Sequence, residues 1–210
     1  MIKIFNFNES IEFSANSYLV YNKSNECVLI DCGSTLNTII RFISSNSLKL
    51  KALLLTHGHF DHIRGIPNLI KHFGYFDIYI SNYDEELLKE PELNCSKFNG
   101  ENVKLDIKVK TLNNLEELNF GDNLKFEVIE TPFHTDGSVC YLNKMENALF
   151  SGDTLFKNSI GRYDLVTSNQ SLVYDSLEKL KYLDENLVVY PGHGEITTLK
   201  DELKNNVFLK

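Results

Sequence analysis

The chain has 210 residues, of which 42% are hydrophobic and 24% charged, proportions that support a buried core and exclude a disordered protein. Its formal net charge is -8, from 21 Lys plus Arg against 29 Asp plus Glu. No basic run interrupts that acidity, so a phosphate backbone is repelled and nucleic acid is excluded as a partner.

Taken in chain order, IKIFNF, NSYLVYN and ECVLIDCG are short β-rich runs separated by turns, the third a buried strand that ends at Asp31 and Gly33. TLNTIIRFISSN then places Leu36, Ile39, Ile40 and Ile43 at helical spacing and closes in a Ser/Asn cluster. LKALLLT returns to strand, HFDHIRGIPNLIKHFG reads as a helix-like segment, and YFDIYIS as a further strand. The polar stretch over residues 82–100, containing EELLKEPELN, predicts a helix followed by a loop. Strands are predicted around residues 103–111, 117–120 and 124–131, with NFGDN as the turn between the last two. The hairpin-like pair SVCYL and NALFSGD follows. A helix near residues 171–183, with Leu172, Leu177, Leu180 and Leu183 on its buried side, the strand LVVYPG and a helix over 197–209 complete the order. The pattern predicts one domain over 1–210, made of two similar β-rich halves with helices outside a central pair of sheets.

Neither a basic-then-apolar leader nor an apolar run of ~18 residues occurs, so the expectation is a cytoplasmic protein with a small-molecule substrate and no membrane partner. Oligomeric state is not encoded in any of these patterns. Cys27, Cys32, Cys95 and Cys140 lack CxxC spacing and are expected to be reduced and structural.

THGHFDHIRG, residues 56–65, holds three of the six histidines with an aspartate between the second and third. A neutral imidazole offers a lone pair at little protonation cost, and with carboxylates it builds the nitrogen and oxygen shell of zinc or non-haem iron. Alternate positions on an extended turn point the same way, so HxHxDH predicts His57 and His59 on one metal with Asp61 and His62 facing a second. The run follows a buried strand over 50–56, where a scaffold presents reactive groups into a crevice. His134 in ETPFHTDGS, His193 in VVYPGHGE and Asp153 in LFSGDTLF also follow β-rich runs in turn-like settings. Each alone reads as an ordinary loop residue; beside the first cluster they become candidate ligands.

NSYLV with VLIDCG, THGHFDHIRG, TPFHTDGSVCY, FSGDTLF, SIGRYDL and YPGHGE, in that order over roughly residues 16–195, resemble the metallo-β-lactamase-fold hydrolases, and among them the short glyoxalase II-like (hydroxyacylglutathione hydrolase-like) group. The resemblance implies an α+β fold, a four-layer αββα sandwich with the metal centre at one edge of the paired sheets. It implies His57, His59 and His134 on one metal, Asp61, His62 and His193 on the other, and Asp153 bridging both. Asp31 matches a strand-end aspartate that supports the shell by hydrogen bonds or serves the turn. His72, in LIKHFG, matches no ligand motif and reads as a helix-end histidine. The implied cofactors are two divalent ions, zinc by default, with iron and manganese accepting the same ligands. The implied reaction is hydrolysis of a hydroxyacylglutathione-type thioester, in which a hydroxide held between the two metals attacks the carbonyl carbon and the metals stabilise the oxyanion. Asp61 is expected to take or relay a proton, and Arg162 is a candidate to hold a substrate carboxylate, with a surface or ion-pair role as its alternative.

Three departures from the family pattern stand out. Phe133 replaces the Gly of TPGHT, which predicts a narrowed pocket or an altered turn at His134, and Cys32 replaces the usual Pro before Gly33. The additional C-terminal helical region that binds glutathione in longer members is not present in these 210 residues. The runner-up reading is a mononuclear iron persulfide dioxygenase using His57, His134 and Asp153, which HTDG after Phe133 resembles; a non-enzymatic metal-binding protein is the third. A nuclease relative would carry a basic surface, and a flavin-linked electron-transfer relative would carry Glu in place of His59.

Overall fold

The computed structural model describes residues 1–5, 15–33 and 36–210. Its first sheet joins β1 (Ile2–Phe5), β2 (Ser17–Tyr21), β3 (Glu26–Ile30), β4 (Lys49–Leu54), β5 (Asp77–Ser81) and β6 (Lys110–Leu112) in that order. Next along the chain come β7 (Glu117–Asn119), β8 (Lys125–Glu130), β9 (Val139–Asn143) and β10 (Ala148–Gly152), the two-stranded pair β11 (Leu155–Phe156) and β12 (Ser159–Ile160), then β13 (Val188–Pro191) and β14 (Thr197–Thr198). The second sheet has the order β14-β13-β10-β9-β8-β7. The helices are α1 (Leu36–Ser45), α2 (Phe60–Ile63), α3 (Ile66–Phe73), α4 (Val173–Lys181) and α5 (Leu199–Asn205). Among the described residues no helix is long and apolar enough to cross a membrane.

Because successive strand side chains point to opposite faces, one run of apolar residues feeds two cores. Val28 and Ile30 of β3 and Ala52 and Leu54 of β4 meet Phe126, Tyr141 and Phe150 of the second sheet between the sheets. Leu29 and Leu53 face the other way and pack with Ile39 and Ile43 of α1 and Ile66 and Leu69 of α3. On the far side, Ile129, Leu149 and Val189 pack with Leu177 and Leu180 of α4 and Leu199 of α5. Three apolar interfaces therefore separate four layers, helix, sheet, sheet, helix. The Tyr141 hydroxyl donates to the Leu55 carbonyl at 2.7 Å and ties the two sheets at their buried face.

Strand direction decides where the reactive loops emerge. β3, β4 and β5 are parallel, with Ile30 opposite Leu54, so Asp31 and the loop from Leu55 leave the sheet side by side. In the second sheet β10 is parallel to β13, with Gly152 opposite Pro191, so Asp153 and His193 emerge together. β8 runs antiparallel to β9, and β9 antiparallel to β10, which brings the end of β8, and His134 after it, to the same edge.

Several elements differ from expectation. HFDHIRGIPNLIKHFG is two helices, not one segment, because Gly65 abuts Cys32: a Cβ there would lie 2.5 Å from the Cys32 sulfur. The Gly65 N–H donates to the Cys32 carbonyl at 3.0 Å, and Pro67 opens the first turn of α3, where its missing N–H costs nothing. Residues 82–100 form three 3₁₀ turns, Asn82–Asp84, Glu86–Leu88 and Lys97–Asn99, not a helix with a loop. Buried Asn94 diverts the backbone there, donating to the Leu87 and Val103 carbonyls and accepting from the Ser96 N–H. Over 103–111 only the end pairs as β6; the C-terminal helix is shortened to α5, capped by the Thr198 hydroxyl accepting from the Asp201 N–H. β11, β12 and β14 were not anticipated. Of the strand expected over IKIFNF, Asn6 and Phe7 lie outside the described residues, as does Thr35 ahead of α1.

Gly152 has φ +49°, and a Cβ on it would lie 2.5 Å from the Thr56 Cβ and hydroxyl. Gly152→Ala is therefore expected to cost about 2 kcal/mol, a fall of roughly 4–8 °C in Tm; an unchanged melting curve would contradict that close approach.

Candidate metal centre

His57 and His59 follow β4 in an extended loop, and His59 immediately precedes α2, which carries Asp61 and His62. His134 follows β8, Asp153 follows β10 and His193 follows β13. The strand ends described above bring all seven side chains into one cluster. The His59 Nδ1 lies 2.9 Å from the His134 Nε2. The Asp153 carboxylate sits 3.4 Å from the His62 Nε2, 3.4 Å from the His134 Nε2 and 3.6 Å from the His193 Nε2. Asp61 lies 3.1 Å from the His193 Nε2. Three sets of donor atoms, His57 with His59 and His134, His57 with His62 and Asp153, and Asp61 with His62 and His193, each fall within 4.8 Å.

A second ring of hydrogen bonds fixes which imidazole nitrogen faces inward. His134 donates from Nδ1 to the Arg162 carbonyl at 2.8 Å, leaving its Nε2 lone pair for the cluster. The His62 Nδ1 lies 2.9 Å from Asp31, and Asp31 also accepts from the Thr56 N–H and hydroxyl, both at 2.8 Å. Since the Thr56 hydroxyl gives its one proton to Asp31, it accepts from the His57 Nδ1, 3.1 Å away. Asp31, at φ +54°, thus orients His57 and His62 together. Such outer partners hold a ligand ring in one tautomer and raise its basicity.

Charge divides the cluster. Burial pushes His57 well below the usual imidazole range, His59 down to about 3, and His134 downward, so these three keep free lone pairs. Burial acts on His62 in the same direction, but Asp31, Asp61 and Asp153 override it and hold the ring well above its ordinary value. His193 is likewise raised by Asp153 and Asp61 against the effect of burial. Asp61 and Asp153 resist the upward push of burial because His62 and His193 beside them keep both ionised.

Among the described residues the buried His57 Nε2, His62 Nε2 and Asp153 Oδ1 have no hydrogen-bond partner. An unpaired buried polar atom costs about 1–3 kcal/mol, and three of them converge in one nitrogen and oxygen donor set of the kind that takes divalent cations. The cluster fits a metal site.

The family model described as the metallo-beta-lactamase superfamily matches residues 11–193. The chain belongs to that superfamily. It is 32% identical over 200 residues to the hydroxyacylglutathione hydrolase GloC of Haemophilus influenzae, covering 94% of this chain and 93% of that protein. Among solved structures, the BLEG-1 B3 metallo-beta-lactamase superposes with a TM-score of 0.91 at 34% identity, covering 100% of both chains. TTHA1623 in a di-iron-bound form gives a TM-score of 0.83 at 33% identity, covering 93% of this chain and 95% of that one. The four layers are accordingly the metallo-β-lactamase fold.

In this member of the superfamily a cleft of about 800 Å³ opens over His59, Asp61, His134, Asp153 and His193. Arg162 reaches its wall, where its guanidinium donates twice to Asp164, at 2.9 and 3.1 Å. Phe133 does not narrow the cleft: its ring is fully buried in the core under α4. His72 sits in the last turn of α3 beside the Ser44 hydroxyl, away from the cluster. All four cysteines are free; burial raises the Cys27 thiol to about 12 and the Cys140 thiol to about 11.

Sequence reasoning missed Asp84. Its fully buried carboxylate accepts from the Gly58 N–H, between His57 and His59, at 2.8 Å, from the Thr135 hydroxyl at 2.8 Å and from the Gly137 N–H at 2.9 Å. One acid therefore fastens the His57–His59 loop to the His134 loop. Nothing in the local motif marks it, since its partners lie 26, 51 and 53 residues away.

Proposed function

We propose that this protein is a metal-dependent hydrolase that opens a thioester, with His57, His59 and His134 holding one ion, Asp61, His62 and His193 a second, and Asp153 reaching both. The observation that carries the reading is the convergence of the unpartnered His57, His62 and Asp153 donor atoms with His59, Asp61, His134 and His193, which with Asp153 line a cleft. Bound divalent cations supply Lewis acidity and bring the pKa of a water towards neutrality. Zinc is the expected ion; iron is the strongest alternative, since TTHA1623 is similar over most of its length and its structure is a di-iron-bound form.

The chain's own contribution is orientation and proton handling. Asp31 and Thr56 hold His57 and His62, and the Arg162 carbonyl holds His134. Asp61 borders the cleft as a carboxylate, 3.1 Å from the His193 Nε2, where it can take a proton. No cysteine nucleophile is needed: Cys95, the one thiol in the cleft wall, is held protonated by burial. A thiolate leaves without protonation, which suits a site whose ionised acid serves as a base. The hydroxyacylglutathione hydrolase name of the GloC relative supports a thioester substrate.

The test is a panel of thioesters, lactones and phosphodiesters presented to protein stripped of metal and refilled with zinc, iron or manganese. Thioester turnover that rises to a maximum at two metal equivalents per chain, and disappears on chelation, is expected. Full activity without metal would refute the scheme. One iron per chain with persulfide-dependent oxygen uptake would install the dioxygenase reading on His57, His134 and Asp153, and metal binding with no turnover on the whole panel would leave a non-enzymatic metal-binding protein.

A further inference from the structure

We propose that the cleft selects thioesters whose thiol arm is apolar and uncharged, and that Asp164 enforces this choice by neutralising Arg162. The proposal rests on the thioester reading above and narrows its substrate class.

Apart from the cluster itself and the Arg162–Asp164 pair, the cleft is lined by six apolar side chains, Phe60, Phe98, Phe156, Ile160, Leu165 and Val166, beside the smaller Cys95, Asn99 and Ser159. Two of them are held out in water: Phe98 is 74% exposed and Val166 66%. Exposed apolar surface is unfavourable in water, and a contiguous patch of it at the mouth of a pocket marks a surface that a ligand covers. Phe98 comes from the turn Lys97–Asn99 and Val166 from the segment after β12, so separate parts of the chain present apolar groups to one opening.

The charge count points the same way. Outside the candidate ligands, the charged residues lining the cleft are Arg162 and Asp164, and they pair with each other through two hydrogen bonds. The pair is exposed and holds little energy of its own; its effect is on net charge, since a carboxylate approaching Arg162 meets Asp164 at the same place. Residues 6–14 and 34–35, outside the described set, contain no Lys or Arg. The whole chain carries -8, so its long-range field also disfavours an anion. Glutathione, with more carboxylates than ammonium groups, finds no unneutralised cation on this wall, whereas an alkyl or aryl thiol arm finds six apolar side chains.

The experiment compares one hydroxyacyl group on three thiols, glutathione, a neutral amide-bearing thiol and a phenylalkyl thiol, with metal-loaded enzyme and rates normalised to alkaline hydrolysis of each ester. The wild-type kcat/KM should be highest for the phenylalkyl thioester and lowest for glutathione, the difference lying in KM. Phe98→Ser should reduce the phenylalkyl-to-glutathione preference about tenfold, the scale of one lost apolar contact. Asp164→Asn should move the same ratio towards glutathione by up to about fivefold, the scale of one exposed ion pair. Both positions are exposed, so neither substitution threatens the fold. A wild-type preference for glutathione, or ratios that neither variant moves, would overturn the selection claim and leave the thioesterase reading standing; no turnover on any of the three would bring down that reading and the selection claim with it.

Discussion

Asp153→Ala abolishes turnover and leaves the protein with no more than one metal ion per chain: this is the largest effect expected from any single substitution. Asp153 is the only member of the cluster that approaches His62, His134 and His193 together, at 3.4, 3.4 and 3.6 Å. Removing it takes away the acid that lies between the two ligand groups. Loss of an outer hydrogen-bonding partner commonly costs ~10–100-fold in affinity or activity, and loss of a group shared by both ions should exceed that range. Steady-state rates with metal content by elemental analysis read both consequences, and circular dichroism checks the fold. A variant with two ions per chain and activity within tenfold of wild type would remove Asp153 from its assigned place. His59→Ala should likewise lower metal content, through the His57, His59 and His134 group alone.

Asp84→Asn is the second large expectation, and it separates positioning from folding. The wild-type carboxylate accepts on both oxygens, from Gly58 and Thr135 on one and Gly137 on the other. An amide of the same shape must turn its own donor towards one of those N–H groups, so one of the two loops loses its anchor. We expect a loss of ~10–100-fold in metal affinity and turnover, the range found for outer-shell partners. The cobalt-substituted protein should show an altered visible spectrum, which a purely structural role would not produce. Stability behaves differently. Burial raises the Asp84 pKa to about 6, above the ~3.9 of an unfolded chain. A raised folded value contributes stability below about pH 3.9, lost as pH rises through about 6. The asparagine variant lacks that loss, so its deficit in Tm relative to wild type should shrink between pH 4.5 and pH 7, measured on metal-free protein. A deficit that widens with pH, or metal affinity unchanged from wild type, would contradict the assignment.

The buried carboxylate of Asp84 also shows why part of the site escaped the sequence. HxHxDH was legible because its members are chemically rare and lie on one turn, and His134, Asp153 and His193 because each ends a readable strand. The value of Asp84 comes from partners in two distant loops, and no spacing rule links them. Asn94 is a similar case, since its side chain replaces the helical ladder of the 82–100 stretch with hydrogen bonds that only the folded chain provides. Val103, Leu105, Ile107 and Val109 alternate as a strand should, and all four pack on the core under α3. Alternation records which face is buried, and only Lys110–Leu112 finds a neighbouring strand. Of the two readings of Phe133, the narrowed pocket fails because its ring is apolar and turns into the core although its neighbours in sequence are site residues. Asp31, left between a turn and a support role, serves both: it adopts a positive φ and holds His62 and Thr56.

The most direct test is anomalous diffraction from crystals grown with excess divalent cation. Two peaks are predicted, one touching His57, His59 and His134, the other touching Asp61, His62 and His193, with Asp153 in contact with both. A single peak, or seven side chains turned apart with no peak among them, would contradict the two-metal centre on which the hydrolase reading stands.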